Sequence, residues 1–434
     1  MPRPAFAYLF ERFPSFTQTF TVREAQGVSA QGLEPRIYSI RRPEGEPLQD
    51  FPEAISQLVR YLPEPAEMRA EIRRLKDAKE LPREVAKTLR ELNEAGDTAD
   101  KTRFYEAAWL GLRLREEGIR HVHVHFAGIA ARTAYWLKTL YGFSFSFTAH
   151  ANDFFVKGDY KITLEDLVRE AAFVVHVSEY GLAEMQRHYL PGAAKLVCVY
   201  NGLDLEVYSA PVGPPECLPP AWIGPDAPPL ILSVGRLIEK KGFSDLIAAC
   251  GKLREAGFSV NLAIGGEGPL HDALQSQITL LDLADHVLLL GNQPQDEIRR
   301  LLAGCTVFAL ACVTESDGGK DNLPTVITEA LAFRKPVVST RLAGVPEQVA
   351  DGVTGLLAEP GDITGLTAAL RRLLSDPALR RQMGDAGLER ARERFAIQVT
   401  TARLAEALIT RGQARPSLAQ AWKRPWLLPR ALGL

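Results

Sequence analysis

The sequence predicts an α/β protein of two doubly wound domains, each a parallel sheet covered by helices, facing across a cleft at the carboxyl ends of their strands. Three observations lead there. Short apolar runs alternate with helical stretches throughout, the pattern of βα units whose strands are buried on both faces. The chain has 434 residues, too long for one ordinary core, so two domains are the default. Between Pro211 and Pro229 the rhythm breaks in a segment that holds eight prolines. Each proline lacks a backbone donor and restricts its predecessor, so the segment reads as a linker between two halves.

In the first half the strand-like runs are Ala5–Phe10, Arg36–Ile40, His121–His125, Phe143–Thr148, Phe173–Val177 and Leu196–Val199. In the second they are Leu230–Val234, Ser259–Ile264, His286–Leu290, Thr306–Leu310, Pro336–Ser339 and Gly355–Leu357. The expected division is an N-terminal domain over 1–208, a linker over 209–229, a C-terminal domain over 230–395, and a final helix and tail over 396–434 that docks back on the first domain. About 48–118 is rich in Glu, Lys, Arg and Leu and reads as helices inserted between two strands, with one amphipathic helix from Glu71 to Leu92. It is either a solvated cover over the sheet or an acceptor-binding subdomain or membrane-surface face. The tail Ala414–Leu434 combines Trp422 and Trp426 with four cations, which suits docking or a membrane interface.

The net charge of −2 gives no global pull towards nucleic acid or anionic membrane. Five cysteines with no Cys-x-x-Cys pair argue against a disulfide framework and a structural zinc site. No basic-then-apolar leader opens the sequence, and no apolar run approaches the roughly 18–20 residues that span a bilayer. A cytoplasmic protein is expected, with any membrane contact peripheral.

The most informative stretch is Asp321-Asn322-Leu323-Pro324-Thr325-Val326-Ile327-Thr328-Glu329-Ala330. Pro324 suits a first helical turn, so Asp321 falls in the loop before a helix and Glu329 on it. Unpaired N–H groups and the positive dipole end offer an anion site there. Two carboxylates flanking an anion site suit a sugar nucleotide, although an ordinary acidic surface helix shares the pattern. Gly235-Arg236-Leu237-Ile238-Glu239-Lys240-Lys241-Gly242 follows the first strand of the second half. Arg236 can fork two phosphate oxygens and Lys241 adds a point charge, the parts that hold a diphosphate without a metal. Gly265-Gly266-Glu267-Gly268-Pro269 permits a tight turn and close backbone approach. It lacks the spacing of a dinucleotide fingerprint. In the first half, His150 ends an apolar strand, where a neutral imidazole can hydrogen-bond a sugar hydroxyl. Along His121-Val122-His123-Val124-His125 the imidazoles share one face about 6.5 Å apart, so all three cannot bind one ion. No metal site is expected.

In number and order these motifs resemble those of retaining glycosyltransferases of family 4, over about Ala7 to Phe395. The Asp321…Glu329 stretch resembles the family's acidic-x7-Glu motif, with Asp at the first acidic position and Asn322 where Gly is common. Thr148-Ala149-His150, the His121–His125 strand and Phe13-Pro14-Ser15-Phe16-Thr17-Gln18-Thr19-Phe20 resemble a bacterial exopolysaccharide subset, with Thr17 and Gln18 in place of Ser and Glu. Asn201-Gly202-Leu203-Asp204 matches the family's turn entering the linker.

The resemblance implies a GT-B fold and a metal-independent, retaining transfer of a sugar from a UDP- or GDP-sugar to a saccharide or lipid-linked acceptor. Arg236 and Lys241 would hold the diphosphate. Glu329 would accept from the ribose hydroxyls, Asp321 would contact the donor sugar, and His150 would orient that sugar. Gly265, Gly266, Gly268, Gly291, Asn292, Asn322, Leu323, Pro324 and Thr325 would surround the nucleotide. No cofactor is implied, since the sugar nucleotide is a substrate. A GT-B epimerase or phosphorylase, or a degenerate sugar-nucleotide binder, would share these features.

Overall fold

The computed structural model describes residues 5–15, 18–44, 53–94, 100–150, 153, 160–189 and 195–412. Two compact units emerge. Unit 1 comprises Met1–Val177, Leu182–Val199 and Thr401–Leu434, and unit 2 comprises Ser178–Gly181 and Tyr200–Thr400. The chain therefore leaves unit 1 after Val199 and returns to it at Thr401. Pro211–Pro229, expected as a linker, belongs to unit 2. Leu218 is buried there, and the N–H groups of Glu216 and Cys217 donate to Glu297 Oε1 at 2.7 and 2.9 Å.

The sheet of unit 1 contains β1 (Ala5–Arg12), β2 (Glu34–Arg41), β3 (Val59–Tyr61), β4 (His121–His125), β5 (Ser144–Ala149), β6 (Phe173–His176) and β7 (Leu196–Cys198). Their order is β3-β2-β1-β4-β5-β6-β7, and every pairing is parallel. The order reverses direction between β1 and β4, which makes a topological switch point. The sequence reading missed β3, a three-residue edge strand inside the charged insertion. The single helix expected from Glu71 to Leu92 is two helices. Pro65–Asp77 and Arg83–Glu94 are separate, broken where Lys79 takes φ +57 and Pro82 follows. Proline cannot donate inside a helix, so the second helix starts after it.

One core of unit 1 lies under the helices Lys101–Glu116 and Ile129–Tyr141, where Trp136, Phe104 and Phe145 are fully buried. A second lies on the other face. It joins Phe6, Tyr8 and Val22 to Leu404, Ala405, Ala407 and Leu408 from the end of the helix Ile397–Ala407 and the π-helical turn after it. The tail beyond Gly412 lies outside the described residues.

The sheet of unit 2 contains β8 (Leu230–Val234), β9 (Asn261–Gly265), β10 (Val287–Leu289), β11 (Val307–Leu310), β12 (Val337–Thr340) and β13 (Gly355–Ala358). The order is β10-β9-β8-β11-β12-β13, all parallel. Its switch point falls between β8 and β11. Their residues are almost wholly apolar and buried, as strands covered on both faces require. No described helix is long and apolar enough to cross a membrane.

Candidate functional site

Unit 2 holds the predicted site residues other than His150, with Arg236, Lys241 and Asp321 in the loops after β8 and β11, the switch point where an open α/β sheet binds ligands, and Gly265, Gly266, Gly268, Gly291 and Asn292 at and after the ends of β9 and β10. After β8 the chain makes a turn at Gly235, a short 3-10 helix Glu239–Lys241, and then the helix Phe243–Glu255. Gly242 takes φ +63, and a Cβ on it would overlap the backbone carbonyl of Ala311, the residue after β11. Only glycine lets this turn lie against the neighbouring strand. The packing pins Lys241 beside the loop that follows β11. Its ammonium ion-pairs there with the Asp321 carboxylate, and both side chains are mostly buried. Burial, the largest single effect, pushes Lys241's pKa down, but the Asp321 charge, Cys312 and the hydrogen bond to Asp321 together outweigh it and hold it above the ordinary value.

Lys240 is also drawn to the β11 loop. Its carbonyl accepts from Val313 N–H at 3.1 Å and its ammonium lies 3.9 Å from Glu315. Arg236 is exposed at the turn. The glycine turn after β9 has a packing reason. A Cβ on Gly266 would strike the Gly235 carbonyl, and one on Gly268 would meet Leu237 backbone at 2.5–2.8 Å. The two loops cross backbone to backbone, with Leu237 N–H donating to Glu267 O at 2.9 Å and Leu270 N–H to Leu237 O at 3.1 Å. Gly265 closes β9, and Gly266 N–H donates to Gly291 O at 2.8 Å. Asn292 Nδ2 donates to Glu267 Oε2 at 3.0 Å, which joins the third expected turn to the second.

The helix carrying Glu329 spans Thr325–Ala332, so Pro324 caps it rather than occupying its first turn. Asn322 is buried, and its Oδ1 accepts from Ser178 Oγ at 2.8 Å while its carbonyl accepts from Gly344 N–H at 2.9 Å. The Asn that replaces the family's usual Gly thus ties this loop to Ser178. Leu323 and Pro324 are buried, and Thr325 is half-buried. Glu329 is buried too, and its Oε1 accepts from the Tyr208 hydroxyl at 3.1 Å. Gln295 Nε2 donates in turn to that hydroxyl. Tyr208 and Gln295 escaped the sequence reading because they lie far from Glu329 in the chain, and no local pattern marks them.

Unit 1 builds a second constellation at its own switch point. The three histidines of β4 share one face, as the strand period requires. His121 bridges Ser144 and Ser146 at 3.1 and 2.8 Å, and His123 bridges Ser146 and Thr148 at 2.7 and 3.0 Å. Burial keeps both well below the ordinary histidine pKa. His125, at the end of β4, pairs with His150 at 3.3 Å and with Glu24 at 2.9 Å. His150 follows β5 and is buried, and its backbone N–H donates to Asp153 Oδ2 at 2.7 Å. Among the described residues, Glu24, His123 and His125 could offer a metal three donor atoms within 4.8 Å of one another. The carboxylate comes from the helix Thr19–Ala30 after β1, off the strand whose spacing keeps the three histidines from sharing one ion. Every ring nitrogen of the two histidines is already in a hydrogen bond, so a metal would have to displace these partners. Gln18 precedes the helix Thr19–Ala30, while Thr17 lies outside the described residues.

Solved structures with this architecture include sucrose-phosphate synthase from Thermosynechococcus elongatus, with TM-score 0.68 and 16% identity over 94% of this chain and 98% of that one. Another is Anabaena HepE in complex with UDP, with TM-score 0.68 and 18% identity over 94% and 99%. They define the fold as GT-B, with two Rossmann-like domains. A model of glycosyl transferases group 1 matches residues 220–390, and one of glycosyltransferase family 4 matches residues 17–207. The two matches follow one another along the chain, which is similar to family 4 glycosyltransferases in its first half and to group 1 glycosyl transferases in its second.

Among curated relatives, the amylovoran biosynthesis glycosyltransferase AmsK of Erwinia amylovora is 38% identical over 41% of this chain and 44% of its own length. The putative colanic acid biosynthesis glycosyltransferase WcaL of Escherichia coli is 31% identical over 58% and 60%. A GDP-mannose-dependent phosphatidylinositol monomannoside mannosyltransferase of Mycolicibacterium smegmatis is 33% identical over 59% and 66%. In each case the match spans less than two-thirds of the relative.

Proposed function

We propose that this protein is a retaining glycosyltransferase that moves a sugar from a UDP- or GDP-sugar to a saccharide or lipid-linked acceptor, in the assembly of a bacterial exopolysaccharide or cell-surface glycan. The observation that carries the reading is the buried Lys241–Asp321 pair at the β8/β11 switch point of a chain similar to these glycosyltransferases. It sets a fixed positive charge beside a carboxylate where a sugar nucleotide would lie. Lys241 and the exposed Arg236 would neutralise charge developing on the departing diphosphate, the preorganised electrostatics that usually dominates catalysis. Glu329, oriented by Tyr208, would accept from the ribose hydroxyls. Asp321 would contact the donor sugar, and His150 would hydrogen-bond a hydroxyl of that sugar.

Retention follows from a front-face route. The bond from the anomeric carbon to the diphosphate oxygen breaks, the acceptor oxygen bonds to that carbon on the same face, and its proton passes to the leaving diphosphate. This needs no metal. The relatives' names support glycan assembly, with a GDP-sugar in one relative and UDP in one solved neighbour. Peripheral contact with the cytoplasmic face of the membrane would suit a lipid-linked acceptor.

A thermal-shift screen of UDP, GDP, ADP, CMP and their common sugar conjugates, on wild type and Arg236→Ala, tests the reading. A ligand at 100 times its dissociation constant stabilises the fold by about 2.7 kcal/mol. Stabilisation by one nucleoside diphosphate, lost in the variant, supports the donor site and names the base. Silence with all of them overturns the proposal. Release of an altered sugar nucleotide with no acceptor present would mark an epimerase instead.

A further inference from the structure

Unit 1 contains a hydrogen-bond chain whose polarity is set at one end. Tyr8 Oη donates to Glu24 Oε1 at 2.7 Å, and the same oxygen lies 2.9 Å from His125 Nε2. The other nitrogen of His125, Nδ1, lies 3.3 Å from His150 Nε2. A carboxylate only accepts, so His125 Nε2 must carry a proton. In a neutral ring Nδ1 is then the acceptor, and His150 Nε2 must be the donor. That leaves His150 Nδ1 as the lone-pair nitrogen.

The ring is also held in place. Phe126 packs on it with centroids 4.2 Å apart, Phe20 at 5.1 Å and His125 at 5.6 Å. Phe126 itself takes φ +66, a conformation rare for a bulky residue and kept only where surroundings over-determine it. Burial lowers the pKa of His150, and the neighbouring His125 lowers it further, which fits a neutral ring.

We propose that Glu24, acting through His125, is the positioning residue that fixes His150 in the Nε2–H tautomer, so that His150 Nδ1 accepts a hydrogen bond from a hydroxyl of the donor sugar. The proposal rests on the reading that His150 contacts that sugar, and it adds a direction: the sugar must donate. A donor lacking the hydroxyl, or carrying only an acceptor there, loses the contact.

The test starts with ligand-free protein carrying ¹⁵N-labelled histidine. Long-range ¹H–¹⁵N correlation identifies the protonated nitrogen of each ring, and His150→Ala assigns the His150 signals. The wild type should show His150 protonated at Nε2, Tyr8→Phe should keep that pattern, and Glu24→Gln should mix or invert it. Wild-type His150 protonated at Nδ1, or a Glu24→Gln spectrum unchanged at His150, overturns the proposal. The second arm measures affinity for UDP-glucose and GDP-mannose against UDP and GDP. Glu24→Gln should weaken the sugar nucleotide about tenfold and leave the bare diphosphate unchanged. If His150→Ala leaves sugar-nucleotide affinity unchanged, the assignment of His150 to the donor sugar fails, whatever the spectrum shows. If His150→Ala weakens binding and Glu24→Gln does not, the Glu24 proposal fails alone.

Discussion

Lys241 and Asp321 reach each other from loops that follow two adjacent strands, β8 and β11, although eighty positions separate them in the chain. Breaking a buried pair by removing one partner leaves the other charge stranded, which costs about 3 kcal/mol. Asp321→Ala should lower the melting temperature by several degrees. The double variant with Lys241→Met should regain part of that loss without regaining turnover. Equal stability in the single variant and wild type would show that the pair is solvated and contributes little.

Gly242 offers a test of backbone fit against space. Its φ is +63 and a Cβ meets the Ala311 carbonyl, whereas Gly257 has φ +84 with nothing within 4 Å of its would-be Cβ. The left-handed conformation alone costs an L-residue about 1–2 kcal/mol. Chemical denaturation should place Gly257→Ala in that range and Gly242→Ala well beyond it, with donor affinity falling as the turn shifts. Similar losses for the two would mean that the turn at Gly242 relaxes freely.

Tyr208→Phe removes the hydroxyl between Glu329 and Gln295. Unmade buried hydrogen bonds cost about 1–3 kcal/mol, part of which should appear in donor binding because Glu329 loses its orientation. KM for the sugar nucleotide should rise several-fold with little change in kcat. A fall in kcat alone would place Tyr208 in the chemical step instead.

Glu106 sets a pH dependence of stability. It is buried between the helices Lys101–Glu116 and Ile129–Tyr141, where it accepts from Thr133 Oγ1 at 2.6 Å and pairs with Arg103 at 2.7 Å. Burial outweighs the Arg103 charge and pushes its pKa up from 4.5 to about 7. The folded state thus holds the proton more tightly than the unfolded chain. Stability falls as pH rises from 4.5 to 7 and is flat above, a loss of about 3 kcal/mol at 1.36 per unit. Glu106→Gln should flatten this window in urea titrations, and an unchanged slope would assign it to other groups.

Excess EDTA should leave sugar transfer intact. If activity is lost and Mg²⁺ restores it, the metal-independent reading fails.

Much of the fold was legible because buried parallel strands write themselves as short apolar runs. His121–His125 and Leu230–Val234 lie in the structure as read, and the others differ mainly at their ends. β3 escaped because three residues of an edge strand in a Glu- and Arg-rich insertion carry no apolar run. Glu71–Leu92 was read as one helix because its apolar spacing continues on both sides of Pro82. In the site, the glycine turns and the Asp321 loop stand out locally since each is contiguous. The partners Tyr208 to Glu329 and Glu24 to His125 do not, since each joins residues 121 and 101 positions apart. Only the strand order brings them together.

Leu404, Ala405, Ala407 and Leu408 complete the core that Phe6, Tyr8 and Val22 begin. During synthesis, the face begun by Phe6, Tyr8 and Val22 must therefore wait for Leu404–Leu408 to leave the ribosome before it can close. Unit 2 is contiguous apart from Ser178–Gly181 and can condense first, an inversion of the usual order in which the leading domain folds ahead. A stop codon before residue 401 would release a chain whose leading sheet is exposed on one face, a substrate for chaperones rather than a smaller enzyme.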